Sequence, residues 1–255
     1  MSQPSLFAAP KPPDFEGIDI RCCGVEAMLA EVRGARLILA DPPWQYSVGA
    51  EGKGVAQPEL NGIYNCLTDA DIAHHLDLAF DAAGPACRLA CWFTWPKLAE
   101  WIAAGLAGPR WGSMTTGGAW TKQAPTSGGA GRMVQPGVGY HWRGQSEPVA
   151  VFTRGSTGRP SELILNAWVS PPTNHSEKPV EWLRSWVRAW TSPGDLVVDL
   201  YAGMAPVARA CRAEGRRYVG AEIDPARCQQ ARERLALYAP ENARRLVGAE
   251  VGVWP

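Results

Sequence analysis

Apolar positions along the chain fall into two kinds of run. Arg36–Ala40 (RLILA) is short and continuously apolar, which predicts a strand covered on both faces. Cys87–Phe93, Pro148–Thr153, Asp195–Leu200 and Arg217–Ala221 read the same way. Between these runs the apolar spacing changes to three and four. Ile72, Leu76, Ala79 and Phe80 predict a helix over 69–83, entered through a Thr68–Asp71 capping pair. Helices are also predicted over Pro96–Leu106, Pro179–Trp190, Pro206–Glu214 and Pro225–Leu237, each with proline near its start, where the missing N–H is not needed. Trp182, Trp186 and Trp190 recur every fourth residue with Leu183 on the same face, a stripe that reads as core before it reads as a ligand site.

Apolar strands alternating with helices indicate an α/β fold with a mostly parallel sheet and helices on both faces. No internal repeat interrupts the pattern. Residues 1–16 carry Pro4, Pro10, Pro12 and Pro13 and read as a tail; 17–255 read as one domain, and 255 residues are enough for one large core. The Gly-rich, polar stretches 45–63 and 111–138 are expected to be inserted target-reading loops.

Charge changes the picture by its distribution. Overall it sums to zero, which excludes a globally basic nucleic-acid coat. Residues 1–104 hold seven Lys/Arg against thirteen Asp/Glu, whereas 105–160 hold Arg110, Lys122, Arg132, Arg143, Arg154 and Arg159 against Glu147 alone. That block also has 13 of the 27 glycines and reads either as a polyanion-facing region or as a solvated loop. The seven cysteines form no C-x-x-C pair and, with four histidines, no metal-ligand pattern, so free thiols in a reducing, cytoplasmic compartment are expected. Met1–Ile20 lack a basic segment followed by an apolar one, so no secretory signal is expected, and no apolar run is long enough to span a membrane. Twelve tryptophans are many for one domain and include candidates for base stacking.

Two strings carry chemistry. Asp41-Pro42-Pro43-Trp44 follows the RLILA strand, at the strand end where open α/β sheets bind ligands. Two prolines remove two N–H donors, so carbonyls and one carboxylate dominate the loop beside a flat indole. Such a surface accepts hydrogen bonds and suits a planar group bearing an amine; the same string also reads as a rigid turn with a satisfied aspartate. In the second string a strand ends at Asp199, the turn Tyr201-Ala202-Gly203-Met204-Ala205 opens a helix, and Glu222 ends the following strand. A glycine turn followed by an acidic strand end suits an adenosine-containing cofactor, and the pyrophosphate-binding G-x-G-x-x-G is absent.

In this order the two strings resemble the permuted amino-methyltransferases. Further similarity to the adenine-N6 methyltransferase family, which includes the eukaryotic mRNA adenosine enzyme and bacterial or phage relatives, comes from Tyr64–Leu76 (YNCLTDADIAHHL), Gly139–Gly155 (GYHWRGQSEPVAVFTRG) and His175-Ser176-Glu177-Lys178-Pro179. The resemblance covers about 20–238. It implies a Rossmann-like, S-adenosylmethionine-dependent methyltransferase fold. Asp41 and the Pro42 carbonyl would hold the target amine in the Asp41-Pro42-Pro43-Trp44 loop, with Trp44 stacked on the base. His175, Ser176, Lys178, Asp199, Tyr201, Ala202, Gly203 and Glu222 would line the cofactor, with Arg154 close by. Two positions depart from the family: Cys23 stands where an acidic residue often holds the cofactor adenine, and Ala205 replaces the second turn glycine.

The expected activity is methylation of adenine N6 in DNA by a bacterial or phage enzyme. The alternatives are an RNA adenosine methyltransferase and a catalytically silent nucleic-acid-binding subunit; a cytosine-N4 enzyme fits less well, because such enzymes usually open the loop with serine. Lys122, Arg132, Arg143 and Arg159 are candidate phosphate contacts. Gln3-Pro4-Ser5-Leu6-Phe7 resembles short peptides that dock on the bacterial sliding clamp, and also reads as a chance match in a tail.

Overall fold

A computed structural model of the chain describes residues 17–45, 66–98, 108–125, 132–134, 146–170 and 177–238. In chain order these form β1 (Ile18–Cys22), α1 (Val25–Glu31), β2 (Ala35–Ala40), α2 (Asp69–Ala82), β3 (Ala83–Trp92), a single 3₁₀ turn (Trp95–Lys97) and the short α3 (Gly108–Trp111). Then come β4 (Thr116–Pro125), β5 (Arg132–Val134), β6 (Ser146–Arg154), β7 (Ala167–Ser170), α4 (Val180–Trp190), β8 (Leu196–Asp199), α5 (Pro206–Glu214), β9 (Arg217–Glu222) and α6 (Pro225–Leu237).

Sequence and local structure agree closely where caps and prolines mark the ends. Thr68 accepts from the Asp71 N–H at 3.2 Å and Asp71 accepts from the Thr68 N–H at 3.0 Å, a reciprocal pair that starts α2. Both α5 and α6 have proline at the first turn, and Asp224 additionally caps α6. Only the 3₁₀ turn and Leu98 of the helix expected over 96–106 fall among the described residues before position 108.

The sheet runs β1-β9-β8-β2-β3-β6-β4-β5, with β7 on β4. From β1 to β3 every neighbour is parallel; β6 then reverses direction against β3 and β4 reverses again. Strands β2 and β8 at the centre of the parallel half are buried on both sides, which their continuous apolar runs require. Ile38 and Ala40 of β2 pack with Met28, Leu29, Ile72 and Leu76 from α1 and α2. Leu37 and Leu39 face the opposite way, toward Trp182, Leu183 and Trp186 of α4 and Val207, Ala208 and Cys211 of α5. The tryptophan stripe is therefore largely core, with Trp182 at 1% exposure and Trp186 against Trp92 at 5.2 Å between ring centroids.

The segment 111–138 departs from its loop reading, since its first part is strand β4 inside the sheet. Its glycines are there because backbones meet. A Cβ on Gly118 would lie 2.6 Å from the Asn166 carbonyl oxygen, and one on Gly117 would lie 2.9 Å from that of Val149. Gly118→Ala is therefore expected to destabilise the fold by about 1–3 kcal/mol through overpacking. Gly24→Ala is the control, because Gly24 has φ −71° and nothing within 4 Å of the added carbon. Urea denaturation of the two variants checks this, and equal midpoints would contradict the close approach.

Candidate active site

The chain leaves β2 for β3 on one side and meets β8 on the other, so the order of strands reverses at the β2/β8 boundary. At such a boundary the connections diverge and leave a crevice at the carboxyl strand ends. Asp41 follows β2 and Asp199 ends β8, and the two strands pair in parallel with Leu39 opposite Asp199. The two strings singled out in the sequence thus meet at one point.

The Asp41–Trp44 loop is fixed by its backbone. Trp44 N–H donates to the Pro42 carbonyl at 2.9 Å, Leu67 N–H donates to the Pro43 carbonyl at 2.9 Å, and Gln45 N–H donates to Leu67 at 3.2 Å. A carbonyl oxygen has two lone pairs, so Pro42 can still accept one more hydrogen bond. Trp44 is not an open stacking face here. It is 6% exposed, packs in the core and donates its indole N–H to the Trp92 carbonyl at 3.3 Å. An apolar ring next to a strand end gains more from burial than from water.

Asp41 is met by Lys178, whose ammonium donates to Oδ2 and also lies 3.1 Å from Oε2 of Glu147. Oε1 of Glu147 pairs with the Lys122 ammonium. Lys178 and Lys122 sit 5.4 Å and 5.0 Å from the ring centroids of Trp92 and Trp120. Four elements thus contribute one chain of alternating charge. Loss of hydration pushes the Asp41 carboxyl above its ordinary value, with the Lys178 ammonium opposing and the Glu147 carboxylate adding to the rise. Burial acts against the charge on Glu147, but the two ammonium groups outweigh it and hold the carboxyl below its ordinary value. Burial would lower Lys178, and the two carboxylates raise it instead. The sequence pattern alone does not mark Glu147 as a site residue, although it is the sole acid in the basic block.

On the β8 side, Asp199 is 3% exposed and accepts from the Tyr201 N–H at 3.3 Å and the Tyr218 hydroxyl at 3.2 Å. Gly220 makes room for that hydroxyl, since a Cβ there would lie 2.0 Å from it. The turn is held by Ala202 N–H on the Ala221 carbonyl at 2.8 Å, and the Tyr201 hydroxyl lies 2.9 Å from Nδ1 of His75. Gly203 and Ala205 both have positive φ, 52° and 53°. The Ala205 position is one where glycine would carry no strain, which explains why glycine is usual there. Space above Gly203 is open, with nothing within 4 Å of an added Cβ. Glu222 accepts from Asp224 N–H through Oε1 at 2.8 Å and stands at the end of β9, opposite Cys22 of β1. The next residue, Ile223, exposes 64% of its surface. Open backbone at Gly203, a carboxylate and an exposed apolar side chain fit a nucleoside with an amino-acid tail.

Other expected site residues fall elsewhere. Lys122 is paired to Glu147 rather than presented to a phosphate. Arg154 is not at the Asp41 and Asp199 end of the sheet: it donates to the Phe80 and Ala83 carbonyls at 2.6 and 2.7 Å and closes the end of α2. Its partner in the ladder is Cys87, whereas Val149 pairs with Trp92 beside the site, which puts Arg154 roughly 17 Å away at 3.3 Å per residue. Arg159 is exposed just beyond that far end. Arg132 begins β5, while His175, Ser176, Arg143 and Gln3–Phe7 lie outside the described residues, as does most of 45–63.

Residues 144–233 match the family model described as DNA methylase, of the N6/N4 group. The matched span is roughly a third of the chain. The matched span includes Glu147, Lys178, Asp199, Gly203 and Glu222, and leaves Asp41–Trp44 outside it. Among curated proteins, the Type II methyltransferase M.XycI of Xanthomonas campestris pv. cyanopsidis is 32% identical over 96 residues, which take in 38% of this chain and 31% of that one. The match thus spans about a third of the length of that relative. Among solved structures, the M1.HpyAVI–SAM complex aligns with a TM-score of 0.61 at 13% identity, covering 86% of this chain and 99% of that one. The cytosine-N4-specific PvuII DNA methyltransferase aligns with a TM-score of 0.58 at 9% identity, covering 92% and 94%. The fold is that of the S-adenosylmethionine-dependent methyltransferases.

The buried aspartate of β8 gives the protein a pH signature. Burial raises the Asp199 carboxyl to about 7, against the pull of its two hydrogen-bond donors. From about pH 4, the ordinary value, up to about pH 7, the folded protein keeps a proton that the unfolded chain has released, so stability falls as pH rises through that window. Asp199→Asn cannot titrate. Its stability relative to the parent is expected to rise with pH across the window, by up to about 1.4 kcal/mol per pH unit, and to level off above it. Urea denaturation at a series of pH values reads this difference directly, and a flat difference would contradict it.

Proposed function

We propose that the protein transfers a methyl group from S-adenosylmethionine to the N6 amine of adenine in DNA. The observation that carries this reading is the acceptor surface of the Asp41-Pro42 loop at the β2/β8 crevice, beside a turn open at Gly203. The N6/N4 family and the Type II relative support a DNA amine as substrate. The choice of adenine rests on the resemblance of the Asp-Pro-Pro-Trp loop, whose opening acid differs from the serine usual in cytosine-N4 enzymes.

Asp199, Tyr201, Ala202, Gly203 and Glu222 would hold the cofactor, with Glu222 accepting from ribose hydroxyls. When bound, S-adenosylmethionine supplies an electrophilic methyl group on a sulfonium. The protein's own part is to prepare the amine. An exocyclic amine on a purine shares its lone pair with the ring and attacks poorly. Asp41 and the Pro42 carbonyl each accept one N–H, which favours a pyramidal nitrogen with its lone pair directed away from the ring. Positioning and preorganised acceptors of this kind supply much of the rate. Asp41 need not take a proton before attack, because the amine becomes acidic only once it has been methylated. In a duplex the amine is engaged in pairing, so the base has to be extruded or already single-stranded.

Asp41→Ala is expected to lower methyl transfer on the order of 10²-fold or more, by analogy with removal of an oxyanion-hole donor. Asp41→Asn should retain a small residual rate, since one carbonyl acceptor remains. Labelled methyl transfer to matched DNA and RNA oligonucleotides, with mass spectrometry of the product nucleosides, is the test. Product on cytosine or only on RNA would replace this reading, and full activity of Asp41→Ala would remove its mechanism. Glu222→Ala should weaken S-adenosylmethionine binding measured by calorimetry in a folded protein, and unchanged affinity would place the cofactor elsewhere.

A further inference from the structure

We propose that Glu147 is a positioning residue for methyl transfer: it draws Lys178 onto a second carboxylate and so leaves Asp41 able to accept the target amine. The inference rests on the amine-methylating role of Asp41 given above and adds a residue on another strand.

The geometry is a neutral chain of four charges. Lys122 comes from β4, Glu147 from β6, Lys178 from the stretch before α4, and Asp41 from the loop after β2. Glu147 takes Lys178 on one oxygen, at 3.1 Å, and Lys122 on the other. Trp120 pairs with Glu147 in the β4–β6 ladder, and its ring lies under Lys122, so the sheet itself sets this end of the chain. Lys178 is 7% exposed along its side chain, whereas Asp41 keeps 37% of its side chain open. The lysine is therefore built in, and the aspartate is the member that can reach a substrate.

A buried ammonium needs full compensation. With Glu147 present, two carboxylates share Lys178. With a neutral side chain there, Asp41 becomes the counter-ion for Lys178 alone, both its charge and its oxygens are held more tightly, and a target N–H must compete with an ammonium. Loss of Glu147 thus acts on the chemical step without touching the cofactor side of the crevice at Gly203 and Glu222.

Electrostatics gives the two neighbours of Asp41 opposite signs. Asp41 feels the charges of Lys178, Glu147 and Lys122, and it interacts electrostatically with Asp199 from β8 and with the buried Cys91 thiol from β3. Removing the Glu147 charge lowers the titration midpoint of Asp41, and removing the Lys178 charge raises it. A side chain with a merely structural role would give neither a shift nor a pair of opposite shifts.

The test compares the full-length parent with Glu147→Gln, Glu147→Asp and Lys178→Met. Glu147→Gln is isosteric and is expected to lower kcat for labelled methyl transfer to DNA on the order of 10- to 100-fold, less than or equal to the loss of a direct contact. Calorimetric affinity for S-adenosylmethionine should stay the same, and the acid limb of the rate–pH profile should move down. Glu147→Asp should recover part of the rate. Carbon-13 carboxyl NMR of Asp41 follows the same midpoint without catalysis, moving down in Glu147→Gln and up in Lys178→Met. An active parent with Glu147→Gln at the same kcat, or an Asp41 midpoint unmoved in both variants, overturns the inference. A parent that methylates no DNA overturns instead the reading of Asp41 on which it rests.

Discussion

A lysine ammonium cannot be taken out of water without a counter-charge where it stands, and Lys178 is almost wholly out of water. That requirement ties together parts of the chain that are far apart in sequence. Asp41 and Lys178 are 137 residues apart, and Glu147 arrives on a strand running the other way. Strand β2 must sit between β8 and β3, and β6 must reverse against β3, before the three groups can meet. The ion pairs need contribute little net stability to matter, since breaking one would leave a buried charge uncompensated. They make the folded arrangement of the site hard to replace by another.

The neighbour of Lys178 is anchored just as firmly. Glu177 is buried, with Arg209 of α5 and Arg234 of α6 on its carboxylate, the latter at 3.0 Å. The two side chains of Glu177 and Lys178 thus point to different partners, one to the helices behind the sheet and one to the Asp41 loop. This divides the work between adjacent residues. The first fixes the segment to the layer formed by α5 and α6, and the second reaches Asp41 across the crevice from the Gly203 turn, whose helix is the same α5. Any shift of α5 would be felt at both places.

Much of this was legible in the sequence, and the reasons are local. Proline at the first turn and a capping side chain mark α6, and proline with Gly215 behind it marks α5, so the bounds Pro206–Glu214 and Pro225–Leu237 follow from chemistry confined to a few residues. The apolar runs of β2, β8 and β9 stand out because both faces are covered. Strands β1 and β7 do not stand out, since their burial alternates or is partial. Strand β4 is obscured by Gly117 and Gly118, which look like loop in one dimension and are close-packed backbone in three. Trp44 had every local mark of an exposed face, and only the position of Trp92 shows its ring to be covered. Glu147 did leave a signal: the one acid among six basic residues is where a counter-charge would be sought, but its partners become apparent only when β4, β6 and β2 are side by side.

Under the proposed function, the donor and acceptor balance at Asp41 and Pro42 sets what kind of atom the loop would receive. Adenine N6 and cytosine N4 present hydrogens, whereas guanine O6 and thymine O4 present lone pairs. A surface made of the Asp41 carboxylate and the Pro42 carbonyl attracts the first pair and repels the second. Among the described residues Lys178 is the strong donor placed next to it, and a lysine free to turn would invite the carbonyl bases back. With its ammonium held by Asp41 on one side and Glu147 on the other, two of its three donors are directed to partners inside the protein. The carboxylate beyond the lysine therefore does two things with one interaction: it lightens the hold of Lys178 on Asp41, and it keeps the face offered to a base an accepting one.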